Sequence, residues 1–347
     1  MKQFFFFLCI VWCAPASFGQ KIAVGAIRWD AWIGDFGEGL PDAQGVGLQV
    51  EKALGPHEYH YRAPFYSKET GYNSIQCRGN TQAIMDREIQ YAKDAGIDYW
   101  AFCWYPFHSG LDTARTLYLA SKHSHDVKWC IILGTNPFTS EKDAPWLVNF
   151  FKEDNYQKVA GGRPLVYIFR KTELKTLDRL RDLCKAEGIL PPYVAIMDFT
   201  PADAKATAES LRADALSSYK SAVGRNGEPY YPVIPRGDST NWERYKSTGM
   251  SLIPWVTTGR NTKPRIDHPV KWANVPADQW VADGTPGQIA GDLAAALKWV
   301  DGNKPACPAN VIILYAWNEF DEGGWICPTF GNNTARLDAL QQLLKNR

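Results

Sequence analysis

The sequence predicts an α/β protein built as a single (β/α)8 TIM barrel, and three observations support this. Eight short apolar segments alternate with segments of helical periodicity along a chain of 347 residues, a length that suits one such barrel. Most of the apolar segments are continuous rather than alternating, as expected for parallel strands that are buried on both faces. No glycine-rich phosphate-binding motif follows the first segment, which argues against a doubly wound open sheet.

The predicted strands recur through the whole chain, and each is followed by a predicted helix. The strands are the runs 22–29, 97–104, 128–133, 165–170, 193–199, 213–219, 251–257 and 311–317. The helices are 81–95, 112–121, 144–158, 174–187, 202–212, 239–247, 286–300 and 334–345. Gly96 and Gly188 stand where two helices should end, because glycine adopts the left-handed conformation of a helix C-terminus without strain. The long connection 34–80 is predicted to fold over one rim of the barrel as a wall or lid.

The first 19 residues are predicted to be a cleaved export signal rather than part of the fold. Lys2 is followed by the apolar run 4–13 and then by Ser17-Phe18-Gly19, a small-x-small cleavage site. The barrel domain is therefore expected to span 20–347, in a secreted or periplasmic product. No later segment is long and apolar enough to predict a membrane span, so no membrane association is expected after cleavage.

Composition and charge narrow the classes of ligand. The formal net charge is +1 and no run of basic residues occurs, which argues against nucleic acid and against an anionic membrane surface. The chain contains 14 Trp, 16 Tyr and 16 Phe, a supply of aromatic rings that suits stacking on the flat faces of sugars. No CxxC motif or histidine-rich cluster predicts a metal, and no cofactor is expected. His57 and His60 are interpreted as structural or solvent-facing residues of the long connection.

In a (β/α)8 barrel the chemistry lies at the C-terminal ends of the strands, so the strand ends define the candidate site. The candidates to bind substrate there are Trp29, Asp30, Trp104, Tyr105, His108, Asp198, Trp255, Asn318 and Trp325.

Several of these residues have a structural interpretation that the sequence leaves open. Trp104 and Tyr105 are either a platform for a sugar ring or part of the upper core. His108 is either a donor to substrate or a loop residue, and Asp198 either orients a hydroxyl or caps the next helix. Asp30 lies between two tryptophans, which favours a role at a ligand.

The stretch YAWNEFDEGG after the eighth predicted strand carries the candidate catalytic residues, Glu319 and Glu322. Glutamates three residues apart share one side of a helical turn. Two such carboxyl groups can divide the work of glycoside cleavage, one as a proton donor and the other as a base or nucleophile. The alternative is that both are surface residues near the N-terminus of a following helix.

The chain resembles the glycoside hydrolase family 99-like proteins, the group around endo-α-mannosidases. The resemblance is carried by AKDAGIDYWAFCWYPF at the second predicted strand, GGRPLVYIFR at the fourth and AWNEFDEGGWICP at the eighth. It implies a retaining glycosidase acting on a polysaccharide or oligosaccharide with α-mannoside-like linkages. It also implies that Glu322 is the general acid/base and that Glu319 removes the proton of the sugar 2-hydroxyl, through a 1,2-anhydro sugar.

Departures from the family pattern leave the sugar and the cleavage mode open. Asp321 stands where endo-mannosidases usually carry histidine, and the stretch WICPTFGNN lacks an acidic residue often found there. Two other classes of function therefore remain as alternatives. One is a lyase that acts on uronic acid polysaccharides, and the other is a glycan-binding barrel without catalysis.

Overall fold

Eight parallel strands form the centre of the protein in the computed structural model, which describes residues 21–34, 45–134, 136–169 and 172–345. We number these barrel strands β1 to β8. They are β1 Ala23–Arg28, β2 Tyr99–Cys103, β3 Lys128–Leu133, β4 Arg163–Phe169, β5 Tyr193–Met197, β6 Ala215–Ser217, β7 in two pieces, Ser251–Leu252 and Trp255–Thr257, and β8 Val311–Tyr315. Nearly all of their residues are buried, because helices cover the outer face and side chains fill the inside.

The strands close into a barrel through β7. Its first piece pairs with β6, in the register Ser251 with Ala215, and its second piece pairs with β8, in the register Trp255 with Ile313. β8 in turn pairs with β1, and the remaining strands follow in chain order from β1 to β6. Between the two pieces stands Pro254, which has no N–H to donate and so interrupts the ladder there. The predicted (β/α)8 barrel is confirmed.

Helices pack around the barrel and form much of the connections between its strands. The α-helices are Val46–Ala53, Gln82–Ala95, Thr113–Ala120, Asp143–Phe151, Leu174–Ala186, Pro201–Leu211, Tyr230–Lys246, Lys263–Asp267, Pro286–Gly302 and Ala335–Lys345. The helix Gln82–Ala95 ends at Gly96 with φ of 81°, as the sequence predicts. Its N-terminus is capped by Thr81, whose hydroxyl accepts the N–H of Ile84.

The rim connections are more structured than the sequence predicted. The connection before the second strand holds the helix Val46–Ala53, a 3-10 helix His57–Arg62, and a hairpin of Lys68–Gly71 with Ser74–Gln76. The connection after β7 holds the short helix Lys263–Asp267, which the sequence analysis did not identify.

Some predictions fall on residues outside the described ranges. The export signal 1–19 is one of them, so it stays a prediction. The last residue of the predicted strand 165–170, Arg170, also lies outside the described ranges. Within the described residues, no helix combines the length and the apolar character that crossing a bilayer requires.

Candidate functional site

A cavity of about 350 Å³ opens at the C-terminal ends of the barrel strands. That is the end of a (β/α)8 barrel where active sites form, and the volume fits a small ligand or one part of a larger one. The cavity is lined by Trp29, Val46, Cys103, Tyr105, Leu111, Asn136, Phe169, Phe199, Tyr219, Lys220, Arg265, Trp272, Ala273, Glu319 and Glu322. Both predicted catalytic glutamates are therefore in the cavity wall.

A tight turn after β8 holds the two glutamates. Asn318–Glu319 pairs antiparallel with Gly324–Trp325, and a 3-10 turn, Phe320–Glu322, connects them. Gly323 has φ of 88°, and a Cβ there would lie 2.2 Å from the backbone nitrogen of Asn261. Only glycine fits this position, so the turn that presents Glu322 depends on it.

Glu319 is buried, and within the described part of the chain one of its two carboxyl oxygens is hydrogen-bonded. Its Oε1 accepts from the hydroxyl of Tyr219 at 2.9 Å. Its Oε2 has no hydrogen-bond partner among the described residues and lies 3.8 Å from Nη2 of Arg265. Burial, followed by the negative charge of Glu322, raises the pKa of Glu319 to about 8, although Arg265 opposes the shift. Glu319 therefore holds a proton at neutral pH.

Glu322 has the opposite environment. Its carboxylate accepts from Nζ of Lys220, from Nη1 of Arg265 and from the hydroxyl of Tyr315. Burial alone would raise the pKa of Glu322, but the positive charges of Arg265 and then Lys220 outweigh it and hold that pKa well below its ordinary value. Glu322 is therefore ionised, and the two carboxyl groups differ in charge.

Arg265 links the site together. Its guanidinium binds Asp321 through two parallel hydrogen bonds, from Nε at 2.6 Å and from Nη2 at 3.0 Å. This fork leaves Nη1 directed at Glu322. Asp321 thus acts as the anchor that orients the arginine.

Aromatic rings form the walls of the cavity. Trp29 and Trp272 lie with ring centroids 5.9 Å apart, and the indole N–H of Trp29 donates to the hydroxyl of Tyr105 at 2.5 Å. On the other side Phe169 stacks on Tyr219, with centroids 4.6 Å apart. Such faces can stack on the apolar side of a sugar ring, which makes the cavity suitable for a carbohydrate.

Asp30 and Asn318 lie behind the wall rather than in the cavity lining. The amide of Asn318 donates to Asp30 at 3.0 Å and its side-chain oxygen accepts from the backbone N–H of Trp29 at 2.9 Å. Asp30 also accepts from Nε of Arg28 at 2.8 Å. Burial raises the pKa of Asp30 to about 6 against the opposing charge of Arg28. The pair therefore positions Trp29.

Five other candidates lie away from the cavity lining, contrary to the expectation from the strand ends. Trp104 and Trp255 are fully buried, and their indole N–H groups donate to the carbonyl of Pro137 and the hydroxyl of Ser221. Trp325 is buried too, with the guanidinium of Arg336 over its ring. The remaining two lie in loops, where His108 is exposed and Asp198 is half-buried.

Replacing Trp104 with alanine should therefore destabilise the fold rather than weaken ligand binding. Loss of a fully buried tryptophan costs about 3–5 kcal/mol of unfolding free energy. The matched variant is Trp272→Ala, which removes a cavity wall and should instead weaken substrate binding by about 1–3 kcal/mol. Urea unfolding and ligand titration of the two variants test this. A stable Trp104→Ala protein with impaired binding would contradict the assignment of Trp104 to the core.

The sequence analysis missed several lining residues. Lys220 follows directly after Tyr219, just past the end of β6. Its position after a strand would therefore have allowed it to be predicted as a site residue. Arg265 and Trp272 lie in the connection after β7, where no periodicity marks them. Among the described residues one group has the composition of a metal site, His57, His60 and Glu69, and none of the three lines this cavity.

Comparison with known proteins supports the fold. No family model matches the sequence, and no curated protein matches it. Two solved structures of the glycoside hydrolase family 99 endo-α-mannosidase from Bacteroides thetaiotaomicron are similar to it. The one in complex with bis-tris-propane is 14% identical, with 94% of this chain and 97% of that chain covered and a TM-score of 0.56.

The second structure of that enzyme is 15% identical, with 94% of this chain and 96% of that chain covered and a TM-score of 0.57. The chain therefore has a fold like that of family 99, over nearly its whole length. At this identity the likeness is one of fold, and the chemistry has to be argued from the cavity.

Proposed function

We propose that the protein is a glycoside hydrolase and that Glu319 and Glu322 carry its chemistry. The observation that carries the proposal is a pair of carboxyl groups with opposite surroundings in one aromatic-walled cavity, Glu319 buried beside Tyr219 and Glu322 bound by Lys220 and Arg265. These surroundings raise the pKa of the first carboxyl group and lower that of the second. Glycoside cleavage requires such a pair, an acid for the leaving oxygen and a charged group for the anomeric carbon.

The hydrogen bonds favour one division of labour. Protonated Glu319 donates its proton to the glycosidic oxygen as the bond from the anomeric carbon to that oxygen breaks. The carboxylate of Glu322 forms a bond to the anomeric carbon on the opposite face. Glu319, now ionised, then takes a proton from water, and the water oxygen displaces Glu322 with overall retention. Lys220, Arg265 and Tyr315 support this role because they stabilise Glu322 as an anion before attack and after release.

The resemblance to family 99-like proteins implies the reverse, with Glu322 as the acid/base and Glu319 as the base at the sugar 2-hydroxyl. In the cavity without substrate, the charges oppose that assignment, because Glu322 has two cations beside it and one carboxyl oxygen of Glu319 finds no donor among the described residues. Both routes retain configuration, and both need the two glutamates. Variants of the two residues separate the routes.

The charges of the cavity favour a neutral sugar at the cleavage point. Among the described residues that line the cavity, both cations are already paired, Lys220 with Glu322 and Arg265 with Asp321 and Glu322. Elimination from a uronic acid needs a cation that neutralises the substrate carboxylate, and a paired cation is poorly suited to that. We therefore favour hydrolysis of a polysaccharide or oligosaccharide over a lyase reaction. An α-mannoside is the first substrate to test, because the similar solved structures are of an endo-α-mannosidase.

The place of action is proposed from the sequence. Residues 1–19 have the pattern of an export signal. A secreted or periplasmic enzyme would meet extracellular glycans, which agrees with a polysaccharide substrate.

The test of the proposed function is digestion of a glycan panel that includes α-mannans. The purified mature protein is incubated with each glycan, and products are separated by mass. The blank is the double variant Glu319→Gln/Glu322→Gln, which keeps the shape of both side chains. Hydrolysis predicts fragments with a new reducing end, absent from the blank. Unsaturated products would instead support a lyase, and ligand binding without any product would support a non-catalytic barrel.

A further inference from the structure

A cluster of potential metal ligands lies in the connection before β2, outside the catalytic cavity. It consists of His57 and His60 on the 3-10 helix His57–Arg62 and Glu69 on the hairpin strand Lys68–Gly71. The ligand atoms of the three side chains all lie within 4.8 Å of one another. In a 3-10 helix the side chains at positions i and i+3 eclipse each other, which explains why His57 and His60 share a face.

The buried ring of His60 faces an oxygen acceptor at each of its two nitrogens, so a cation or a proton is needed on one side. His60 is 3% exposed. Nε2 lies 2.7 Å from the carbonyl oxygen of Gly55, and Nδ1 lies 2.7 Å from Oε1 of Glu69. A carbonyl only accepts, so the ring proton belongs on Nε2. In the neutral ring Nδ1 then directs a lone pair at a carboxylate oxygen, and only a bound proton or a metal ion makes that contact favourable.

The other two ligands are accessible and held in place. His57 stacks on the ring of Tyr72 with centroids 4.7 Å apart and planes 7° from parallel, and its backbone N–H donates to the side chain of Asn73 at 3.1 Å. The side chain of Glu69 is 44% exposed. An ion can therefore enter from the surface.

The geometry points to a binding site for a divalent transition-metal ion of the zinc class. Its ligands are Nδ1 of His60, one ring nitrogen of His57 and a carboxylate oxygen of Glu69, with the remaining position open to water. Two imidazoles and a carboxylate form a donor set that zinc takes in proteins. A ligand histidine usually donates its other ring N–H to a carbonyl, which is the arrangement that His60 has with Gly55.

The site has a structural consequence for the cavity. The same 3-10 helix carries Arg62, whose Nη1 donates to the carbonyl of Asn261 at 2.7 Å and lies 3.5 Å from that of Phe320, next to Glu319. It also carries Tyr59, whose hydroxyl donates to Asp267, on the short helix that carries Arg265. A metal ion would fasten the hairpin to this helix and so brace the wall beside the glutamates. It would have no role in the chemical step, and the proposal does not rest on the glycosidase activity.

Metal binding by the tag-free full-length mature protein tests the proposal. The protein is stripped with a chelator, dialysed against Zn²⁺ and assayed for retained metal, and it is titrated separately with Co²⁺, whose absorption reports tetrahedral coordination by protein ligands. We expect one ion per chain. His57→Ala and Glu69→Ala should each weaken Zn²⁺ binding by at least about tenfold, the scale of losing one supporting interaction at a metal site. His125→Ala, at an exposed histidine elsewhere, is the matched control and should bind normally.

Both ligand variants alter exposed side chains, so folding should be retained, and thermal melts of the metal-free proteins check this. At the same concentration, Zn²⁺ should raise the melting temperature of the wild type and of His125→Ala clearly more than that of the two ligand variants. Absence of retained Zn²⁺ and of a Co²⁺ spectrum in the wild type would overturn the proposal and leave a proton between His60 and Glu69. Zn²⁺ binding of wild-type affinity in either ligand variant would overturn it as well.

Discussion

Replacing Glu322 with glutamine should lower kcat/KM by about 10⁴- to 10⁶-fold, whatever group leaves from the sugar. Glu322 is the ionised carboxylate, held by Lys220, Arg265 and Tyr315. In the proposed route it forms the bond to the anomeric carbon, and an amide cannot replace it. The measurement compares hydrolysis of a natural glycan with that of an activated aryl glycoside.

The control is Glu209→Gln, at an exposed position on the outer helix Pro201–Leu211, which should leave both rates unchanged. Thermal melts establish that all variants are folded. If Glu322→Gln recovers near-wild-type rates on the aryl glycoside alone, Glu322 is the proton donor and the roles implied by the resemblance are correct. A 2-deoxy-2-fluoro glycoside with an activated leaving group separates the routes further. It should label Glu322 covalently in the proposed route, and it cannot react through a 1,2-anhydro sugar.

Replacing Glu319 with glutamine should cost about 10²- to 10⁴-fold on the natural glycan and much less on an activated aryl glycoside. A good leaving group departs without a proton, so the loss of the acid matters little for forming the covalent intermediate. Pre-steady-state release of the aryl group measures that step. Equal damage with both substrates would contradict Glu319 as the acid.

The same variant should change the pH profile. Activity requires the protonated form of Glu319, and its pKa is raised to about 8. The kcat/KM of the wild type should therefore fall as pH rises through about 8. In Glu319→Gln, the residual rate on the natural glycan should lack that alkaline limb. An unchanged limb would assign the titration to another group.

Much of the fold follows from patterns that the sequence displays. Strands buried on both faces appear as apolar runs, and helices that cover them appear as amphipathic segments between glycines, so the barrel is predictable. The boundaries of the strands and helices are less predictable. The run 213–219 predicts a strand of seven residues, but only Ala215–Ser217 pairs with its neighbours, because pairing depends on contacts with other strands. The helix Tyr230–Lys246 also begins before the predicted start at Ser239, and it is interrupted at Tyr231, which has the extended angles φ −97° and ψ 129°. Pro232 and Pro235 made this stretch resemble a loop in the sequence.

The cavity was only partly predictable, for a reason that the end of β2 illustrates. Cys103 and Tyr105 line the cavity, while Trp104 between them is buried outside it. Successive residues of an extended chain point to opposite sides, so a strand end supplies every second residue to a site. Choosing the correct set needs the register of the barrel, which sequence alone does not supply.

The charge state of the glutamates was beyond sequence analysis for a different reason. Spacing within YAWNEFDEGG brings Glu319 and Glu322 together, but burial raises the pKa of Glu319, while Arg265 and Lys220 lower that of Glu322. Lys220 and Arg265 come from the connections after β6 and β7, about 100 and 57 residues away along the chain. The resemblance to a family identifies the two glutamates, and the local electrostatics then decide which one holds the proton.

The most direct test of this account is an NMR titration of the protein with carbon-labelled glutamate carboxyl groups, in the absence of substrate. We predict one carboxyl signal that titrates near pH 8, the raised pKa of Glu319. That signal should be missing from Glu319→Gln and present in Glu209→Gln. It should shift to lower pH in Glu322→Gln, because the neighbouring negative charge that helps to raise it is gone. A titration near pH 8 that is lost in Glu322→Gln and kept in Glu319→Gln would contradict the account, as would the absence of any carboxyl titrating above about pH 6, well beyond the ordinary range for glutamate.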